Sequence, residues 1–271
     1  MNYEDTYQRL PPGSAGQYSI SGGTVNFTGA WKDPQRNTPW GHFSWAALVL
    51  PYVEQKGVYD LINFDLPAYA TSIMEVNGGS PAFGTPTDRG PAGSTVNQVP
   101  CSTVPKVFKC PSARPINGVK EHKDYAMCAG TGVCCPERTT VVVNQTIDGV
   151  AALGLGVRLA EVTDGTSNTF LFLEQASYAN HSWLSPVKGS NHFIWTHHPS
   201  QGYVQTSNGS VPSPPNDTTW NNRAATGGHP SGVMVVLVDG HVSFLSNNVD
   251  NTVYRATGTR GTGESIGGNI Q

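Results

Sequence analysis

Thr226–Ser246, TGGHPSGVMVVLVDGHVSFLS, is the stretch from which the fold can be read outward. Val233–Val238 is an unbroken run rich in β-branched residues, too short for a membrane span, and apolar on both faces of a pleated backbone. Such a run predicts a strand in the interior of a sheet. Asp239-Gly240 follows, the pair favoured by two-residue type I′ turns, in which both central residues need positive φ. On the return side Val242 and Phe244 alternate with His241 and Ser243, which predicts a second strand burying one face. The stretch reads as a β-hairpin.

A chain of 271 residues with 37% hydrophobic content can build a packed core in one large domain or two small ones. Charged residues are only 13%, and 31 Gly with 20 Pro imply many turns and long irregular connections. A formal net charge of −3 gives no reason to expect nucleic acid as a partner. Sparse charge beside abundant Ser, Thr, Asn and Gly points to an extracytoplasmic, β-rich protein. No apolar run approaches the ~20 residues that span a bilayer.

Along the chain, Asn2–Leu10 has helical composition and should stop at Pro11-Pro12-Gly13. Ser44–Gln55 predicts a helix capped by Ser44, with Trp45, Leu48, Val49, Tyr52 and Val53 on one face. Pro51 should kink it or open a second short helix, with Gly57 as terminator. Residues 63–100 read as a long surface excursion. Val104–Phe108, Asp124–Ala126, Thr139–Val143, Val157–Glu161 and Thr169–Leu173 read as extended, the last buried on both faces and closed by Glu174. Val204–Asn222 reads as polar loop, and Thr252–Gln271 as a tail with little core potential.

Cys101, Cys110, Cys128, Cys134 and Cys135 cluster in a loop-rich region without zinc-finger spacing, which suggests one or two disulfides in an oxidising compartment. Among 8 histidines no HExxH or other spaced ligand motif occurs, so surface or hydrogen-bonded roles are the default and a zinc site would need long-range convergence. The G-x-S-x-G elbow and the phosphate-binding glycine motifs are absent. Asp164-Gly165-Thr166-Ser167-Asn168 gathers oxygen ligands as Ca²⁺ loops do, and Glu174 or Asp239 could complete the shell begun by Asp164 and Asn168. The same residues also suit an Asx-type turn between two strands, the simpler reading. No set of polar groups converging on a pocket can be nominated from spacing, and no catalytic residue is assigned.

Taken in order, NYEDTYQRLPPG (Asn2–Gly13), SWAALVLPYVEQ (Ser44–Gln55), FKCPS (Phe108–Ser112), DYA (Asp124–Ala126) and VTDGTSNTFLFLE (Val162–Glu174) lead to His229, nine residues, then Asp239-Gly240. Together they resemble a pilin-like family of unknown function abundant in planctomycete bacteria, with a prepilin-type N-terminus and a C-terminal His-x9-Asp-Gly signature. Ser231 stands where a second Gly is common in that family, and the cysteines beyond Cys110 look particular to this chain.

The resemblance implies an α+β, type IV pilin- or pseudopilin-like head, an antiparallel sheet packed on an N-terminal helix with loop-rich insertions. Residues 1–12 would be the end of a truncated stem helix and residues 13–271 a single head. Pilin-like subunits or a secretion apparatus would be the partners, the cell surface or inner membrane the location, and the missing helix the only membrane contact. No enzymatic activity is implied, and no cofactor beyond Ca²⁺. His229, Asp239, Gly240, Asp164, Gly165, Asn168 and Glu174 would serve as structural signature residues, with His229 bonding across the hairpin base. The alternative is a binding module presenting Trp183, Trp195, Tyr203 and Trp220 to glycans or a partner protein.

Overall fold

The computed structural model of the chain describes residues 3–15, 18–21, 24–27, 42–64, 97–113, 122–131, 141–142, 148–151, 156–176, 193–196, 203–208, 211–217 and 224–264. Its main sheet has five strands: Tyr125–Gly130 (β1), Phe170–Glu174 (β2), Tyr203–Gln205 (β3), Gly232–Leu237 (β4) and Val242–Ser246 (β5). In space they run β5-β4-β2-β1-β3. All neighbours are antiparallel except β1 and β3. With a few short helices around it, the architecture is α+β.

The apolar run of β4 takes the interior place its composition demands, between β5 and β2. Val233, Val235 and Leu237 are buried on one face, in line with Leu173 of β2, Ala126 of β1 and Leu245 of β5. Met234, Val236 and Phe172 line the other face and are only half-buried.

The hairpin forms, but with a different turn. Gly240 N–H donates to the Leu237 carbonyl at 2.9 Å, and of the two residues expected at positive φ only Gly240, at 88°, has it. The turn is pinned sideways instead. Val238 N–H donates to Thr169 O and Asp239 N–H to Thr166 O, while Asp239 Oδ1 accepts His241 N–H at 2.9 Å. These bonds hold Asp239 out of the left-handed region that type I′ requires. The burial of β5 is also inverted relative to expectation. It is an edge strand, with Val242 56% and Phe244 42% exposed and Leu245 fully buried.

Pro51 divides the predicted helix into Trp45–Val49 and a 3-10 turn, Leu50–Val53. Ser44 does not cap it, because its hydroxyl donates to the Phe193 carbonyl. Trp45 packs on Phe172, ring centroids 4.4 Å apart, which seats the helix on the half-buried face of the sheet. Gly57 lies within a further helix, Lys56–Tyr59, rather than ending one. The first helix spans Tyr3–Tyr7 and ends at Gln8, φ 54°, ahead of the prolines. Tyr3 meets Tyr52 edge-on at 5.5 Å.

Other expectations are corrected by packing. Lys106–Phe108 and Leu159–Glu161 are 3-10 turns, not strands. Tyr203–Gln205, with Val204 and Gln205 expected in a loop, is β3 and buried beside β1. The tail contains a helix, Asn251–Gly258, whose first N–H groups at Thr252 and Val253 are accepted by the Asp250 carboxylate. Its Tyr254 is 0% exposed and packs against Phe170. Of the cysteines, Cys110 and Cys128 are buried free thiols rather than disulfide partners, and Cys101 is buried. Cys134, Cys135, Trp183, Trp220 and most of the 63–100 excursion lie outside the described residues. Among the described residues no helix is long and apolar enough to cross a membrane.

Ser231, just before β4, has φ 68° and its carbonyl accepts Asn247 N–H at 2.8 Å. A side chain in the left-handed region costs about 1 kcal/mol, which explains why Gly suits this place. Ser231→Gly should therefore stabilise the protein by about 0.5–1 kcal/mol in urea unfolding, whereas an unchanged or lowered midpoint would contradict the assigned strain.

Candidate functional site

The end of β2 organises the site. The carbonyl of Glu174 accepts Thr226 N–H at 2.9 Å and Ala176 N–H donates to Thr226 O at 2.7 Å, so the segment before β4 pairs with the extension of β2. The main-chain ladder between β2 and β4 starts only at Leu173↔Val235. The Glu174 side chain takes up the donor left over, its Oε2 accepting Met234 N–H at 2.8 Å. Its Oε1 lies 3.1 Å from His229 Nε2, with the Glu174 side chain 1% and that of His229 28% exposed. His229 thus reaches the neighbouring strand β2, not across the hairpin base.

Cys110 arrives from the other side. Its N–H donates to Asp124 Oδ2 at 2.8 Å, and Asp124 N–H donates to Phe108 O at 2.9 Å, so the loop carrying the thiol is tied to the start of β1. Cys110 Sγ stands 3.8 Å from His229 Nε2. Two glycines allow this approach. A Cβ on Gly227 would meet Glu174 Oε2 at 2.6 Å, and one on Gly228 would meet Ser112 O at 1.7 Å. Four stretches singled out in the sequence, FKCPS, DYA, VTDGTSNTFLFLE and the His229 segment, therefore meet at one place. Sequence reasoning named Glu174 and His229 separately but missed Cys110 as their companion.

Burial sets the electrostatics. The Cys110 thiol is held above its ordinary range by burial and then by its bond to Glu174, and Tyr125 beside it is pushed up to about 12, chiefly by burial. His122 is lowered by burial against the opposing pull of Asp124, whose Oδ1 lies 3.4 Å away. A nucleophilic relay would need Cys and carboxylate on opposite ring nitrogens of the histidine. Here both face Nε2, so the geometry is that of three donors around one point. Their ligand atoms all lie within 4.8 Å of one another. A cavity of about 450 Å³, lined among others by Ser112, Tyr125, Met234 and Val242, opens beside them.

The other signature residues lie elsewhere. Asp164 Oδ1 accepts Gly263 N–H at 2.9 Å and Oδ2 accepts Thr262 N–H at 3.0 Å, so this carboxylate fastens the C-terminal loop. Gly165 has φ 98°, and Asn168 Nδ2 donates to the Asp164 carbonyl at 3.2 Å. Asp239 and Gly240 form the hairpin turn. In this arrangement the oxygens considered for Ca²⁺ serve turns and loop anchoring.

The site is thus a Cys-Glu-His convergence at the end of a central strand in an α+β sheet. Residues 1–252 match the family described as "Protein of unknown function (DUF1559)", and the chain belongs to that family. No curated protein and no solved structure matches it.

Lys123, next to Asp124, is 0% exposed, with its Nζ 5.7 Å from the Trp45 ring centroid. Burial, reinforced by Lys109, drives its pKa well below the ordinary 10.5, so the folded state gives up a proton that the unfolded chain keeps. Stability should then rise as pH increases toward the ordinary lysine pKa, by up to about 1.4 kcal/mol per unit. Lys123→Met should raise the urea midpoint at neutral pH and flatten this rise. A variant that is less stable, with the slope intact, would contradict the assignment.

Proposed function

We propose that this chain is the extracytoplasmic, non-enzymatic head of a pilin- or pseudopilin-like subunit, carried on an N-terminal membrane helix and associating with like subunits or a secretion apparatus. The observation that carries this reading is the seat of the first helix. Tyr3 of Tyr3–Tyr7 lines an apolar groove of about 580 Å³ with Trp45, Val49, Phe172 and Val236. A short first helix beside the half-buried face of a mostly antiparallel sheet agrees with the relation between stem and head that the family resemblance implies. Arg9 Nη1 to Gly156 O and Leu10 N–H to Val157 O, both 2.8 Å, then fasten the chain where it leaves that helix. The signature residues at the hairpin and at Asp164 close turns and anchor loops, roles that fit a rigid head. The glycan-binding alternative loses one of its platforms, since Tyr203 is 1% exposed within β3.

The test is the fate of the protein expressed from its full-length gene in its own cell with a C-terminal tag. The expected result is membrane-associated protein with a proteolytically processed N-terminus and a head accessible to external protease. Unprocessed protein found wholly in the cytosolic fraction would overturn the reading.

A further inference from the structure

We propose that Cys110, Glu174 and His229 form a binding site for a divalent transition metal of the zinc class, with a fourth coordination position facing the adjoining cavity. The donors are a thiol, an imidazole and a carboxylate, the set that zinc-class ions select and that Ca²⁺ and Mg²⁺ do not. Tetrahedral zinc with ordinary bond lengths places nitrogen and oxygen about 3.4 Å apart and sulfur and nitrogen about 3.6 Å apart. The corresponding separations here are 3.1 Å and 3.8 Å, so shifts of a few tenths of an ångström accommodate the ion.

The supporting shell is already in place. Met234 N–H holds Glu174 Oε2 and thereby aims Oε1 at the common point, while Asp124 holds the backbone of Cys110. Glu174 is 1% exposed, and a bound cation would supply its buried carboxylate with the positive partner that burial calls for. On binding, the Cys110 thiol proton passes to solvent and the ion replaces the direct contact between Glu174 and His229. Three protein ligands leave one position open, and His229, 28% exposed, marks the entry from solvent. This site stands apart from the pilin-like reading and would hold wherever the protein resides.

The experiment uses the chain freed of metal with a chelator and titrated with Co²⁺ while the absorption spectrum is followed. The expected result is a thiolate-to-cobalt charge-transfer band that saturates at one ion per chain and is abolished by Zn²⁺. Cys110→Ser should lose the band, Cys128→Ser should keep it, and His229→Gln and Glu174→Gln should each weaken binding on the order of 100-fold. Circular dichroism checks that the variants are folded. Should they be unfolded, the readout becomes the melting temperature of the native-sequence chain, which Zn²⁺ should raise and Mg²⁺ should not. Folded protein without the band, a band that survives Cys110→Ser, undiminished affinity in the His229 and Glu174 variants, or no thermal shift with Zn²⁺ would overturn the proposal.

Discussion

A carboxylate buried at the end of a β-strand has to find donors for both of its oxygens, and this requirement at Glu174 shapes the centre of the molecule. At the end of apolar β2 the Glu174 side chain is buried on the second face of the sheet, out of reach of water. One oxygen takes the Met234 N–H that the main-chain ladder leaves over, and the other faces His229. The backbone carbonyl of the same residue binds Thr226. Three neighbouring segments are thus fixed relative to one residue, and the loop bearing Cys110 closes over them. The approach tolerates no side chains at Gly227 or Gly228, so the glycines ahead of His229 are part of the same constraint.

The two faces of the sheet differ in a way that links packing to the proposed role. One face buries Val233, Val235, Leu173 and Leu245 in the core. The other is covered partly by Trp45 and Phe108 and keeps half-buried or exposed apolar residues, among them Phe172, Val236 and Val242. The groove beside the first helix and the cavity beside the Cys-Glu-His cluster both open on this second face and share Tyr125, Phe172 and Val236. A helical stem and a metal would therefore be housed on the same side of one rigid layer, stabilised through the same strands.

Much of this was legible where a local rule dominates. Val233–Val238 could only be an interior strand, Thr169–Leu173 carried the β-branched and aromatic signal of β2, and Pro51 could not remain inside a helix. The misses share a cause in tertiary context. Asp239-Gly240 satisfies type I′ in isolation, but the turn at Thr166–Thr169 captures its backbone. Val242 and Phe244 alternate correctly, but an edge strand over a partly open face leaves them exposed. Tyr203–Gln205 joins β1 in parallel through a distant pairing that no nearby residue announces. The C-terminal helix had its signal in Asp250 followed by Asn-Thr, which was overshadowed by the Gly- and Thr-rich tail. At the site, Glu174 and His229 were each marked by motif, yet Cys110, Glu174 and His229 are too far apart in sequence for any spacing to pair them. The one local hint was Gly227-Gly228, a sign that another backbone passes close by.

Glu174 continues the sheet with its side chain and thereby ties the strand segments into one cooperative unit. Amide hydrogen exchange at Met234, resolved by NMR, tests it most directly. Met234 should exchange only with global unfolding, as slowly as the amides of Val235 and Leu173. Exchange at Met234 as fast as at an exposed edge position such as Phe244 would show that the buried carboxylate does not hold the sheet together.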